Sequence, residues 1–179
     1  MKTYRVAVLG CRGRGSAAAL AYYQHPRTEL VGLCDLVPDL LKSLGQELEV
    51  SAHFSDFHEM IEKTGPDIVA IPTGTEFHYD LSMQVMAHGV HIDVEKPMCT
   101  NLAEADDMLN RAKEKGVQII SDARALATIK RGAEVVGIVA RSDQQEMCFR
   151  AHRGVILAAG GFIMNERLAG LSAASRLSE

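Results

Sequence analysis

The chain lacks most of what would hold it in a membrane or staple it covalently. No run of about 18 apolar residues occurs, which excludes a transmembrane helix. The apolar stretch behind Lys2 and Arg5 is only strand-length, too short for a secretion signal. The four cysteines, Cys11, Cys34, Cys99 and Cys148, lie far apart with no C-x-x-C pair. That argues against disulfides and a zinc site, and for free thiols in a reducing compartment, the cytoplasm. There is no excess of positive charge: the net is −4, so nucleic acid is not an expected partner. What the chain does have is core-forming material, 47% hydrophobic against 23% charged residues. Its 179 residues suit one large domain or one and a half small ones.

Organisation begins at Tyr4 to Gly15, YRVAVLGCRGRG. Val6-Ala7-Val8-Leu9 is hydrophobic on both faces, which predicts a buried strand. It stops at Gly10, Gly13 and Gly15, and the small-residue stretch Ser16 to Ala21 opens a helix. Strand, glycine turn and helix form the first half of a dinucleotide-binding βαβ unit. Glycines let the backbone turn tightly and let a pyrophosphate approach; the helix N–H groups then face the phosphates. Gly10 and Gly15 hold the first and third places of G-x-G-x-x-G, but Arg12 holds the second. Either Gly13 takes over the close approach or the Arg12 side chain folds away. Gly10, Arg12, Gly13, Arg14 and Gly15 are the candidate cofactor-binding residues of the turn, which taken alone is also an ordinary strand-to-helix connection.

Glu29 to Cys34 predicts a second strand ending in Asp35. Asp35 lies about 20 residues past the last glycine, where the ribose-binding acid of such units belongs. A carboxylate there accepts from both ribose hydroxyls and repels a 2′-phosphate, and Leu36 and Val37 offer that phosphate no cation. NAD is therefore favoured over NADP. The other reading of Asp35 is a strand-end carboxylate capping the helix that begins at Pro38.

Further along, Pro38 to Leu48 predicts a helix weakened by Gly45, followed by a short strand near Ala52-His53-Phe54. Asp56, with Glu59, caps a helix through Lys63 that Gly65-Pro66 stops. Asp67 to Ile71 is a buried strand with Pro72 to Thr75 as its exit loop. A helix from Phe77 to Ala87 ends at Gly89, and the strand Val90 to Val94 leads into Glu95-Lys96-Pro97. Asn101 with Glu104 caps a helix to Lys115, with Leu102, Ala105, Met108, Leu109 and Ala112 as its core stripe and Gly116 as its stop. Val117 to Ile120 predicts one more strand. The alternation over residues 4 to 120 predicts an α/β fold: a Rossmann-like, mostly parallel, doubly wound sheet. Such sheets bind ligands beyond the carboxyl ends of their strands, so the loops Gly10–Gly15, Asp35, Pro72–His78 and Glu95–Pro97 should share one edge.

Those residues resemble the nucleotide-binding domain of the glucose-fructose oxidoreductase, inositol dehydrogenase and rhizopine-catabolism family (Gfo/Idh/MocA). The resemblance runs from about Lys2 to Ile120 and rests on RVAVLGCRGRG, the strand ending in Asp35, DIVAIPTGTEFHYDLSMQVMAHGVHIDVEKP and the helix after Asn101. It implies an NAD-dependent oxidoreductase moving hydride between nicotinamide and a sugar- or polyol-like hydroxyl compound. It implies that Glu95, Lys96 and Pro97 lie beside the nicotinamide, with Lys96 as the catalytic residue in substrate binding and proton transfer. It also implies that the loop Thr73 to His78 borders the cofactor. Chemically, an ammonium beside a reacting oxygen can orient it and help move its proton. Read alone, Lys96 is equally a surface lysine paired with Glu95, and His78 a solvated histidine at a helix start. His88 and His91, separated by Gly89, read as structural and not as metal ligands; no metal is expected.

The family continues into a substrate-binding second domain, whereas only 58 residues follow Ser121 here, and they read differently. Charge shifts from net −6 over residues 1–121 to net +2 over 122–179. Ala123 to Arg131 predicts a short helix; Glu134 to Arg141, Glu146 to Ala151 and Gly154 to Ala159 predict strands, with a turn at Ser142 to Gln145. The run from Ala125 to Leu168 resembles a fragment of FAD-dependent fumarate reductase and ketosteroid dehydrogenase flavoproteins, ending at Gly160-Gly161. Expected, then, are a dinucleotide-binding domain at 1–121 and a short antiparallel β tail at 122–179 that frays from Gly170. The tail strands could add to the Rossmann sheet, replace a missing edge or pair with a second copy of the chain. A dinucleotide-binding module without turnover stays open as an alternative, and an FAD-binding hybrid using Gly160 and Gly161 is the least favoured.

Overall fold

A computed structural model describes residues 2–158. The chain divides into two compact units with the boundary between Gln118 and Ile119. The first is a five-stranded parallel sheet built from β1 (Tyr4–Leu9), β2 (Thr28–Cys34), β3 (His53–Phe54), β4 (Ile68–Ile71) and β5 (His91–Val94). Its strand order is β3-β2-β1-β4-β5. The helices are α1 (Arg14–Gln24), α2 (Pro38–Glu47), α3 (Phe57–Thr64), α4 (Thr75–Ala87) and α5 (Leu102–Glu114).

The unbroken apolar run in β1 follows from its central place. Val6, Ala7 and Val8 are fully buried because helices cover both faces of the sheet. Alternate residues then serve opposite cores. Val8 joins Leu33 and Ala70 against Ala19 of α1 and Leu41 and Leu44 of α2. Ala7 and Leu9 join Val69 and Ile71 against Met60 and Ile61 of α3 and Val85 of α4. The strand order reverses between β1 and β4, and the crevice of such a fold opens at that switch point.

The helix caps form at the expected residues, except that Glu59 does not return to the Asp56 N–H as a capping box would. Asp56 Oδ1 accepts the N–H groups of His58 and Glu59, and Gly65 closes α3 in the left-handed conformation. Glu59 turns to Lys63 at 2.5 Å, one turn along the helix. Asn101 Oδ1 accepts the Glu104 N–H at 3.0 Å, and the Glu104 carboxylate accepts from the Thr100 N–H and hydroxyl. These bonds hold the Glu104 carboxyl below its usual range. Gly45 fits α2 for a reason of space, since a Cβ there would lie 1.9 Å from His53 Nε2.

Four expectations in and after this unit are corrected. Leu102 does not join a core stripe; it is 84% exposed, and among the described residues of α5 only Met108 is buried. Val117 to Ile120 is not a strand. With Gly116 at φ +88°, the Val117 N–H returns to the Ala112 carbonyl and the Gly116 N–H to that of Lys113. That is a Schellman closure, which uses an apolar residue after the glycine to finish a helix.

The third correction lies in the second unit, where Ala123 to Arg131 is not a helix. Residues Arg124–Arg131 form β6, antiparallel to β7 (Glu134–Ser142), which pairs with β8 (Gln145–Arg150). The Ala-Leu-Ala run favours a helix, but a two-residue turn at Gly132-Ala133, with Gly132 at φ +62°, folds it onto β7. The turn before Gln145 forms as expected: Asp143 and Gln144 both take positive φ, which a tight primed turn needs. Residues 154–158 form no strand, and Ile156 is 94% exposed. Ala159, Gly160, Gly161 and the expected frayed end lie outside the described residues.

Candidate active site

Each expected loop follows the carboxyl end of a parallel strand in one sheet: Gly10–Gly15 after β1, Asp35 after β2, Glu95–Pro97 after β5 and, after β4, the expected Pro72–His78, of which only Pro72–Gly74 is loop because α4 begins at Thr75 and carries His78 in its first turn. A cavity of about 870 Å³, within the size range of small-molecule and cofactor sites, opens beside the loops after β1, β2 and β4; Glu95, Lys96 and Pro97 are not among its lining. Gly10, Arg12, Arg14, Asp35 and Thr73 all line it. Leu36, Val37, Phe57 and Phe77 give it apolar walls. In the sequence Leu36 and Val37 counted only as offering a 2′-phosphate no cation, and Phe57 and Phe77 carried no signal of a site.

The three glycines of the turn do different things. Gly10 takes φ +102°, and a Cβ on it would come 2.9 Å from Thr73 Cγ2, so the turns after β1 and β4 touch. Gly15 lies under Gly10, where a Cβ would sit 1.9 Å from the Gly10 carbonyl oxygen. Gly13 precedes α1 at φ +51°, ψ −102°, with nothing within 4 Å of its missing Cβ. Among the described residues, no partner is found for the N–H groups of Gly13 and Arg14, the donors a bound phosphate would meet.

Asp35 stands at the end of β2, half-buried, its N–H held by the Phe54 carbonyl. Its Oδ2 accepts the Cys11 N–H at 2.7 Å and its Oδ1 the Val37 N–H at 2.9 Å. It thus braces the glycine turn and holds the residue that caps α2. An ionised carboxylate offers about four acceptor positions, so about two stay available, as many as a ribose diol has hydroxyls. With two free backbone donors at the start of α1, an acid with acceptor positions to spare and apolar walls, this edge suits an NAD-type dinucleotide.

Glu95 pairs with Arg14, not with Lys96. Arg14 Nε and Nη2 donate to the same Glu95 oxygen at 2.9 and 2.7 Å, joining the glycine turn to the end of β5. That guanidinium holds the Glu95 carboxyl below its usual range, with help from the Lys96 backbone N–H. The Lys96 ammonium is exposed and has no ion-pair partner among the described residues. His78 is not solvated: at 1% exposure, its Nδ1 lies 2.7 Å from the Pro97 carbonyl oxygen and its Nε2 3.0 Å from that of Thr73. It ties the exit loops of β4 and β5 together. A histidine buried for this purpose reads in sequence like any polar residue.

With this edge assembled, comparison with known proteins is decisive. The family model described as "Oxidoreductase family, NAD-binding Rossmann fold" (Gfo/Idh/MocA) matches residues 4–123. The chain belongs to this family. Curated relatives include glycosyl hydrolase family 109 protein 1 of Bacteroides thetaiotaomicron, 28% identical, the match covering 64% of this chain and 26% of that one. Myo-inositol 2-dehydrogenase of Thermotoga maritima is also 28% identical, over 63% of this chain and 34% of its own length. Among solved structures, UDP-N-acetylglucosamine 3-dehydrogenase GnnA from Acidithiobacillus ferrooxidans is 27% identical with TM-score 0.59, covering 65% of this chain and 37% of that one. The chain thus spans about a quarter to a third of the curated relatives' length. No helix among the described residues is long and apolar enough to cross a membrane, and no cluster of metal-ligating side chains is found among them.

The groove also predicts a thiol pattern. Burial, and then the Asp35 carboxylate, push the Cys11 and Cys34 thiols up to about 12. Only about one in ten thousand is then thiolate at pH 8, and the thiolate is the nucleophile. Iodoacetamide is expected to label exposed Cys148 while sparing Cys11 and Cys34 until the chain unfolds, as peptide mass spectrometry would show. Native labelling of Cys34 would mean that the wall behind Asp35 opens.

Proposed function

We propose that this chain binds NAD(H) along the groove and presents its nicotinamide at Glu95–Pro97 to a sugar- or polyol-like hydroxyl compound. The observation that carries the reading is the convergence of the loops after β1, β2 and β4 on one cavity beside an acid with acceptor positions to spare. Relatives named for an inositol and for an amino-sugar nucleotide support the substrate class. When bound, the nicotinamide supplies hydride acceptance or donation. Asp35 takes the ribose hydroxyls and repels a 2′-phosphate. The free N–H groups of Gly13 and Arg14 face the diphosphate, and Thr73, set by His78, borders the ring. Lys96 orients the substrate oxygen and carries its proton. Free cysteines suit the cytoplasm, and the outer edges of β6 and β8, which pair with no further strand among the described residues, are where a second copy would add.

The chain has no Trp, so NADH fluorescence can be titrated against a low protein background. Saturable binding is expected, with a dissociation constant of about 1 µM to 1 mM. NAD reduction is then screened with inositols, glucosides and nucleotide sugars. Absence of saturable NADH binding would sink the proposal. Binding without turnover selects the second reading, a dinucleotide-binding module, which is favoured by a family match confined to residues 4–123.

A further inference from the structure

The second place of the glycine fingerprint normally lets a diphosphate pass close to bare backbone. Arg12 occupies it, and its side chain does not fold away: Arg12 is exposed and lines the cavity. Two arginines line that cavity, Arg12 and Arg14. Arg14 is held by Glu95. The Arg12 guanidinium has no hydrogen bond or ion pair among the described residues; only its carbonyl is used, accepting the Gly15 N–H at 2.8 Å. Beside it, the side of Gly13 where a Cβ would project is open. The residue just before Gly13 therefore carries an uncommitted cation, in the same turn as the free N–H donors of Gly13 and Arg14.

We propose that Arg12 is a diphosphate-binding residue, its guanidinium replacing the close backbone approach that a second glycine would allow. This rests on the dinucleotide reading of the groove. A guanidinium presents paired N–H donors that match two phosphate oxygens, and it keeps its charge at any working pH. A side chain that would obstruct a neutral ligand then becomes part of the site for an anionic one. The diphosphate is the phosphate in reach, because Arg12 precedes the first turn of α1, whereas the ribose end is held by an anion, Asp35.

The test compares NADH, NADPH and ADP binding to the unaltered chain, Arg12→Ala and Arg12→Lys at two salt concentrations. Arg12→Ala is expected to weaken all three ligands by one common factor, about tenfold to hundredfold. Arg12→Lys should recover part of the loss. Affinity of the unaltered chain should fall with salt more steeply than that of Arg12→Ala, since an exposed charge is screened. Unchanged melting temperatures are expected for these exposed substitutions. A loss confined to NADPH overturns the proposal in favour of a 2′-phosphate contact, and unaltered affinities overturn it in favour of a solvated arginine. Failure of the unaltered chain to bind NADH overturns the dinucleotide reading itself, and Arg12's role with it.

Discussion

Gly15→Ala is expected to lower the melting temperature of the first unit by about 10 °C or more, or to prevent its folding. The added methyl group would lie 1.9 Å from the Gly10 carbonyl oxygen and 2.7 Å from its carbon. Neither atom belongs to a side chain that can swing aside. Gly10 is fixed in turn by its N–H bond to the Cys34 carbonyl at 2.8 Å and by its contact with Thr73. Relief must therefore come from lifting α1 off β1, which separates Ala19 from Val8 in the core. Overpacking a core costs about 1–3 kcal/mol, and collision with backbone belongs at the upper end. That is a large share of a total stability of about 5–15 kcal/mol. Gly13→Ala is the control, since its methyl group meets no atom and its penalty is confined to a backbone conformation that favours glycine. Thermal and urea melts of the two variants check the ranking. Equal stability of Gly15→Ala and the unaltered chain would mean that α1 does not sit on the turn as described.

How much of this could be read beforehand depends on how local the cause is. The strands β1 and β4, the Asp56 and Asn101 caps and the Gly65 and Gly116 stops are set by neighbours within a few residues. Their pattern was therefore legible. Asp35 was legible as a position but not as a brace, because its partner is the backbone N–H of Cys11, which any residue but proline carries. The Arg14–Glu95 pair spans 81 residues, and in sequence Glu95 had its neighbour Lys96 to suggest instead. His78 was placed at the site for its family pattern, whereas the structure shows it bonded to two loop carbonyls. Arg124–Arg131 was misread because helix propensity is intrinsic to Ala and Leu, while a strand requires a partner; pairing with β7 outweighs it. Val117 was misread for the opposite reason, since a local helix closure claimed a residue that looked like the start of a strand.

The strongest effect on cofactor choice is expected from Asp35→Ala. Two losses coincide at this position. The Cys11 and Val37 N–H groups lose their acceptor, and the one on Cys11 is part-buried, so the turn loosens. An unsatisfied group of that kind costs about 1–3 kcal/mol. The acceptor positions proposed for the ribose hydroxyls vanish as well, and hydrogen bonds to a charged group are worth about 1.5–3 kcal/mol. NADH affinity should therefore fall about tenfold to hundredfold or further. NADPH should lose less, because the carboxylate that repels its 2′-phosphate is gone, while the loosened turn weakens both ligands alike. The ratio of the two dissociation constants isolates the ribose contact, since the effect of the turn cancels in it. Asp35→Asn separates the two roles further. An amide has one acceptor oxygen for two backbone donors, so part of the loosening stays, yet the negative charge is removed in full. A ratio shifted toward NADPH in both variants marks a carboxylate that selects against the extra phosphate. A ratio equal to that of the unaltered chain would make Asp35 a brace of the glycine turn and nothing more.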